Sequence, residues 1–363
     1  MNLGRYSQDF IVNIMERAIE LSKKGRGKVS PNPLVGCVIV KDGEIIGEGY
    51  HEEFGSAHAE KNAIDNCSKD PLGASAFITL EPCCIHSKTP PCTDLLIDNG
   101  IDEVFIGSKD PNPDINGKGI DFLEKNGIKV YYGFLDDNVS KLNKGFFKWV
   151  QKGLPWVIAK IAQSSDGAMG IDNETQTWIT GEESKKNSHY LRSKVDAVLV
   201  GSGTAKVDNP KLTVREVDGF NPKRIVVDTN RTLPIDLNLY SDNEAETIVI
   251  CSNQKFDKNK TLNCRFIPVK EVSGRIDVLD MLLKLANEGI TSILVESGPE
   301  LIKSFDSQNL IDELYLYTAQ IDLPESELKN PLILEDSWIL KKTSVLGDDE
   351  LQVFERKELC LQE

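Results

Sequence analysis

Hydrophobic positions along the chain change period several times, and each change marks an element. After Ser7, a capping residue, Phe10, Ile11, Ile14, Met15, Ala18, Ile19 and Leu21 recur at helical spacing, and Gly25 and Gly27 close the run. Two short strands are predicted over 34–40 and 44–49, joined by Asp42-Gly43, a dipeptide suited to a two-residue hairpin turn. A helix over about 57–67 and a strand over 76–80 lead into a cysteine-rich loop. Pro91 and Cys92 open a further helix that Gly100 stops. A strand over 103–107, the loop Asp110-Pro111-Asn112-Pro113, a helix ending at Gly127 and a strand over 129–132 follow. Such alternation of strands and helices predicts a layered α/β structure.

A boundary is expected near Lys152-Gly153-Leu154-Pro155, after a helix containing Phe146, Phe147 and Trp149, giving domains 1–152 and 153–363. A second α/β run begins there with a strand over 156–162. Thr180 and Glu183 form a capping-box pattern for a helix running to Lys194. Strands over 197–200, 224–228 and 247–251, a helix over 278–287 and a strand over 292–296 come next; Ser297-Gly298-Pro299 opens a helix, and a strand covers 313–318. The acidic stretch 322–327 reads as a solvated loop.

Composition fits this reading: 363 residues, 40% hydrophobic and 27% charged, make a soluble two-domain chain with no need of disulfides. The net charge of −15 repels phosphate backbones and anionic membranes, so neither nucleic acid nor membrane is an expected partner. A local basic pocket for a small phosphorylated substrate is compatible with that charge. The first residues lack a basic start followed by an apolar run, and no stretch of roughly 18 apolar residues occurs. A cytoplasmic location is therefore expected, with the eight cysteines as reduced thiols or metal ligands.

Three pieces carry chemistry: His58-Ala59-Glu60, Pro82-Cys83 and Pro91-Cys92. One imidazole and two thiolates suit zinc, and three protein ligands leave a fourth position for water, as in a catalytic site. Zinc lowers the pKa of that water toward neutrality. Glu60, two residues after His58 at a helix start, can face the water without being a ligand and move its proton to departing ammonia. Both cysteines are expected at helix N-termini, where the dipole favours a thiolate. Singly, each piece has a bland reading: a lone His-x-Glu is ordinarily an accident of surface or core, and a lone cysteine a buried hydrophobe. In this order, and inside Thr79-Leu80-Glu81-Pro82-Cys83, they match the His-x-Glu…Pro-Cys-x-x-Cys signature of zinc deaminases, with the two cysteines stretched nine positions apart. Cys84 and His86 compete as ligands by proximity alone; Cys37 and Cys67 read as core.

Thr79 to Cys83, then Lys88-Thr89-Pro90-Pro91-Cys92, together with Ser30-Pro31-Asn32-Pro33-Leu34-Val35-Gly36 and Asp110-Pro111-Asn112-Pro113, resemble the bifunctional deaminase–reductase family of riboflavin biosynthesis. The resemblance covers nearly the whole chain. It implies an α/β architecture with a cytidine-deaminase-like three-layer N-terminal domain and a dihydrofolate-reductase-like C-terminal domain. It also implies a two-step activity. The first step deaminates 2,5-diamino-6-(5-phosphoribosylamino)pyrimidin-4-one; the second reduces the ribosyl side chain to ribityl with NADPH. Carried over by motif, His58, Cys83 and Cys92 hold Zn2+, Glu60 is the proton shuttle, and Asn32, His51, Lys88, Asp110 and Asn112 line the substrate pocket. On their own, Asn32, Asp110 and Asn112 also read as turn residues beside prolines. The family places a His two residues after the first cysteine, where this chain has Ile85.

The second half signals less by itself. Gly201-Ser202-Gly203-Thr204 follows a strand, and Glu296-Ser297-Gly298-Pro299 ends one and opens a helix, a geometry that can receive phosphate on backbone amides but is also an ordinary tight connection. With Lys160 through Gly167, Trp178-Ile179-Thr180, Leu191-Arg192 and Val200 through Arg215 these pieces resemble the family's reductase domain. The match implies that Gln163, Trp178, Thr204, Asp208 and the Gly298 turn contact NADPH. Thr180, Arg192, Leu212 and Arg215 then face the substrate, with Lys160 and Glu296 catalytic and both arginines suited to the sugar phosphate. Two segments depart from the pattern: Thr175-Gln176-Thr177 stands for Gly-x-Ser, and Ala319-Gln320-Ile321-Asp322 for an Ala-Pro segment. Two other readings follow from these features: a monofunctional deaminase with an inactive reductase-like domain, and a nucleic-acid-binding deaminase or RNA-modifying module, which the charge disfavours. The resemblance also implies a homo-oligomer.

Overall fold

The computed structural model describes residues 2–85, 90–171, 176–257, 264–334 and 336–357. The chain divides into two compact units, Met1–Gly153 and Leu154–Glu363.

In the first unit, helix α1 (Gln8–Ser22) is capped as the sequence predicts, Ser7 Oγ accepting from the Phe10 N–H at 3.3 Å. Strands β1 (Gly36–Lys41), β2 (Glu44–Tyr50), β3 (Ser75–Leu80), β4 (Glu103–Ser108) and β5 (Lys129–Tyr132) form one sheet in the order β2-β1-β3-β4-β5. The first two pairings are antiparallel and the last two parallel. Asp42 and Gly43 have φ of 53° and 80°, as a two-residue turn matching strand twist requires. Side chains alternate across the sheet. Val38, Val40, Phe77 and Phe105 meet α1 on one face. Cys37, Ile39, Ile78 and Ile106 pack on the other against α2 (Ala59–Asp65), α3 (Cys92–Asp98) and α4 (Lys118–Lys125). The result is three layers. Helices α5 (Asp136–Leu142) and α6 (Lys144–Lys152) complete the unit, with Val139 and Phe147 on the α1 face.

Helix α2 rides very close to β2. A Cβ on Gly49 would stand 2.3 Å from the Ala63 nitrogen and 2.5 Å from the Ala59 oxygen, so any larger residue would push away the helix that begins at His58.

In the second unit nine strands form one sheet: β6 (Trp156–Gln163), β7 (Ala197–Gly201), β8 (Lys223–Val227), β9 (Thr247–Ser252), β10 (Arg265–Val269), β11 (Ser292–Val295), β12 (Glu313–Thr318), β13 (Trp338–Leu346) and β14 (Asp349–Arg356). Their order is β10-β9-β8-β7-β11-β6-β12-β14-β13, parallel up to β12 and antiparallel in the last two pairings. Helices α7 (Glu182–Arg192) and α8 (Ser202–Asp208) contribute Leu191 and Ala205 to one face; α9 (Val278–Asn287) and α10 (Pro299–Asp306) contribute Leu282 and Phe305 to the other.

Two expectations are corrected here and one is refined. The capping box at Thr180 and Glu183 does not form. The N-cap of α7 is Gly181, and the carboxylate of Asp349 accepts from the Gly181 N–H at 2.8 Å and the Ser184 hydroxyl at 2.6 Å, so a tertiary partner replaces the local cap. The stretch 322–327 is a loop with Asp322, Glu325 and Glu327 exposed, as expected, anchored by the Leu323 N–H donating to Asp166 at 2.9 Å and buried Ser326 donating to the Gly170 carbonyl at 2.5 Å. Cys83 lies in the loop after β3 rather than at a helix start.

Candidate active sites

The end of β3, the start of α2 and the start of α3 meet at one point. His58 is the extended N-cap residue of α2 and Cys92 the first residue of α3. His58 Nδ1 lies 3.2 Å from Cys92 Sγ and 3.6 Å from Cys83 Sγ, and the three donor atoms all fall within 4.8 Å of one another. An imidazole and two sulfurs converging at this spacing fit a zinc ion. Cys84 stands outside the group. Without a helix start to favour its thiolate, Cys83 is stabilised by other means: a hydrogen bond from the Cys92 thiol first, then His58 and the Cys92 backbone N–H, hold it well below the ordinary thiol range against the opposing effect of burial. The same bond pushes Cys92 up.

Glu60, on the first turn of α2, is only 3% exposed. Burial first, then the charge of Cys83, raise its pKa, and it shares a hydrogen bond with Cys92. Beside it the His51 ring meets the His58 ring edge-on at 5.5 Å. His51 Nδ1 lies 3.0 Å from the Ala57 carbonyl, which fixes the proton on Nδ1 and leaves Nε2 to accept from the Asn32 amide at 3.0 Å. Burial lowers its pKa, in keeping with a neutral ring. Asp110 is buried and raised to about 6, by burial first and then by Glu81 and Cys83; its Oδ1 accepts from the Asn112 N–H at 2.8 Å. Asn32, His51, Asp110 and Asn112 are thus each held by specific bonds, and His51 and Asp110 adjoin the metal-ligand group. Lys88 and His86 lie outside the described residues.

The second unit holds a cleft of about 500 Å³ at the C-terminal ends of β6, β7 and β11. Lys160, Trp178, Thr180, Arg192, Thr204, Asp208, Leu212, Arg215, Glu296 and Gly298 all line it. Gln163 does not: its amide donates to Thr318 at 3.2 Å and accepts from Asn330 at 2.8 Å. Arg192 is turned inward, its fork closing on Glu296 at 2.7 and 2.9 Å and donating to the Thr213 carbonyl at 3.1 Å. Burial opposes the charge on Glu296, but Arg192 and then Lys160 outweigh it and hold the carboxylate below its ordinary pKa. Burial lowers the pKa of Lys160, partly offset by Glu296.

Sequence reasoning missed His189, which lines the same cleft one helical turn before Arg192. Its Nδ1 accepts from the Arg215 backbone N–H at 2.9 Å, and burial, with Arg192 and Arg215, lowers its pKa to about 4. The i, i+3 spacing to Arg192 was the available signal. Gln176 and Lys185 also line the cleft. Its lining holds five cations, Lys160, Lys185, Arg192, Lys211 and Arg215, against two carboxylates, Asp208 and Glu296; Lys185 and Lys211 also pair with Glu216 and Glu244 outside the lining, and the balance is still positive on a chain of net charge −15. The size and sign of the cleft fit a phosphorylated nicotinamide cofactor together with an anionic substrate.

The fold and donor set of the first unit define a zinc deaminase, and the second unit is a nicotinamide-dependent reductase fold. Residues 9–108 match the cytidine and deoxycytidylate deaminase zinc-binding region, and residues 155–323 match the RibD C-terminal domain. The riboflavin biosynthesis protein RibD of Actinobacillus pleuropneumoniae is 39% identical over 352 residues, covering 94% of each chain. That of Escherichia coli (strain K12) is 37% identical, over 84% of this chain and 86% of the relative. The crystal structure of a diaminohydroxyphosphoribosylaminopyrimidine deaminase/5-amino-6-(5-phosphoribosylamino)uracil reductase from Thermotoga maritima superposes with a TM-score of 0.86 at 34% identity, over 96% of this chain and 99% of that one. This chain belongs to the RibD family of bifunctional riboflavin-biosynthesis enzymes, combining a zinc-dependent deaminase with an NADPH-dependent reductase. Among the described residues no helix is long and apolar enough to cross a membrane.

Proposed function

We propose that residues 1–152 deaminate 2,5-diamino-6-(5-phosphoribosylamino)pyrimidin-4-one and that residues 153–363 then reduce the ribosyl side chain of the product to ribityl. The convergence of His58, Cys83 and Cys92 beside buried Glu60 carries the first half of this reading. Zinc held by those three residues supplies Lewis acidity. Asn32, His51, Lys88, Asp110 and Asn112 bind the pyrimidine and its side chain. Glu60, raised by burial toward the range where it both takes and gives protons, accepts a proton from the attacking water and passes it to the departing amino group. An amino group is exchanged for an oxo group and ammonia leaves.

In the second domain NADPH supplies the hydride. Trp178, 69% exposed on the cleft wall, offers a ring for the cofactor to cover, and Thr204, Asp208 and the Gly298 turn complete its bed. Gln163, engaged with Thr318 and Asn330, is left out of that bed. Thr180 and Leu212 position the substrate. With Arg192 closed on Glu296, its phosphate falls to exposed Arg215. Lys160 is the proton donor for the sugar oxygen that becomes a hydroxyl, with Glu296 setting its charge. The charged groups gathered in this cleft favour an active reductase over an inert one. The surplus negative charge of the whole chain favours a small-molecule substrate over nucleic acid.

The test incubates the purified chain with the diaminopyrimidinone ribotide, with and without NADPH, and follows products by mass spectrometry. Without NADPH the expected product has one oxo group in place of an amino group; with it, two further hydrogens. An unchanged ribotide would overturn the first assignment, and a deaminated but never reduced product the second.

A further inference from the structure

The carboxylate of Glu81 plays no part in the chemistry above, yet it is 4% exposed and fully engaged. It stands two residues before Cys83, just past β3. Oε2 accepts from the N–H groups of Asp110 at 3.3 Å and Gly117 at 3.0 Å; Oε1 accepts from those of Gly119 at 3.0 Å and Ile120 at 3.3 Å. Gly119 and Ile120 belong to the first turn of α4, whose N-cap, Gly117, has no side chain to satisfy them. Glu81 therefore caps α4 from a distant part of the sequence, at the helix end that favours an anion. A second contact is independent of these bonds. A Cβ on Gly119 would fall 2.4 Å from the Pro82 carbonyl oxygen, so the first turn of α4 is pressed onto the peptide between Glu81 and Cys83.

The loop between β4 and α4 is thus clamped at both ends to the segment that carries Cys83. Within it, the Asn112 N–H bonds Asp110 at 2.8 Å and the Asp114 N–H bonds Asn112 at 3.0 Å, so the side chains of Asp110 and Asn112 are set by the same frame. We propose that Glu81 is a positioning residue. It sets Asp110 and Asn112 at a fixed place relative to Cys83, and so holds the pyrimidine in register with the metal site. The proposal rests on the reading of Asp110 and Asn112 as substrate contacts.

Full-length Glu81→Gln tests it. The amide keeps one acceptor oxygen but turns an NH2 group toward backbone donors, undoing one side of the clamp. Loss of substrate positioning should raise the deaminase KM about tenfold or more while kcat falls less than about threefold. Zinc should stay near one per chain, and NADPH oxidation with the deaminated substrate, a reaction of the other unit, should be unchanged. Normal deaminase KM with zinc retained would overturn the proposal, as would loss of zinc in step with kcat, since Glu81 would then support the ligand and not the loop. Gly119→Ala strains the same clamp from the helix side with the carboxylate intact and should give the same rise in KM. Should the first unit of Glu81→Gln misfold, seen as loss of that unit's cooperative thermal transition, a normal KM in Gly119→Ala overturns the idea. Asp110→Asn separates the two layers: a normal KM there, with KM still raised in Glu81→Gln, removes Asp110 as a substrate contact and leaves the clamp acting through Asn112.

Discussion

The two units differ in how densely their chemistry is written. In the first, the three metal-ligand residues and Glu60 fall between residues 58 and 92 and meet at the end of one strand and the starts of two helices. In the second, the groups that line the cleft run from Lys160 to Leu328 and come from strand ends, helices α7 and α8 and the loops between them. Coordination allows little slack, because ligand atoms must sit within about 2.0–2.3 Å of one ion, so a few residues at fixed spacing are required. A nicotinamide cofactor brings its own reactive atom and asks mainly for a long, correctly charged bed, which many residue combinations supply. A metal site is therefore concentrated in a motif, and a cofactor cleft is distributed over a sheet.

The sharpest way to break this comparison is to remove the ion. Cys83→Ser and Cys92→Ser should lose zinc and abolish ammonia release, Cys84→Ser should keep both, and all three should still oxidise NADPH with deaminated substrate. Metal analysis beside the two assays checks this; equal zinc loss in Cys84→Ser would mean the ligand set is misassigned. A smaller effect is expected from Glu60→Gln, which should retain zinc yet slow deamination by on the order of 10²-fold or more. Near-normal ammonia release from that variant would leave the first unit without its proton carrier.

The mildest effect concerns the second unit and pH. The His189 pKa is about 4 in the folded chain, below the usual histidine value near 6.5. Between those values the unfolded chain binds the extra proton, so this contribution to stability is complete above pH 6.5 and is lost as pH falls toward 4. Protonation also removes the Nδ1 acceptor from the Arg215 N–H. His189→Asn, which keeps an acceptor oxygen near that place but does not titrate, should show a smaller drop in urea midpoint between pH 7 and pH 5 than the parent. Identical drops would show that His189 does not couple the cleft to pH.

Much of the frame was legible where local chemistry sufficed. The Ser7 cap, the Asp42-Gly43 turn and the strand–helix alternation of both halves appear as read, and so does the pairing of His58 with Cys83 and Cys92. Failures cluster where a partner distant in sequence decides. The periodicity passed over β10, an edge strand interrupted by Pro268, and both strands of the last hairpin, β13 and β14; β13 is an edge strand with exposed Ile339, Leu340 and Val345 and so lacks clean alternation. A capping box was expected at Thr180 because nothing local announces Asp349. The pairing of Arg192 with Glu296 was not visible, because that bond spans more than a hundred residues. Glu81 was visible only as a letter of a motif, since the four amides it binds belong to a loop whose path the sequence does not specify.

The cap on α7 bears on how the chain is made. Asp349 stands 168 residues after the Gly181 N–H it accepts, and strand β6, near the middle of its sheet, pairs with β11 and β12 from far downstream. The first unit closes entirely within 1–153. On a ribosome adding about 5–20 residues per second, the remaining 210 residues take roughly 10 to 40 seconds to emerge. Through that interval the deaminase half has every strand it needs, whereas the helix carrying His189 and Arg192 waits for its cap until the last hairpin leaves the tunnel. The contacts that complete the deaminase half thus lie in the first 153 residues, and those that complete the reductase half reach to Asp349.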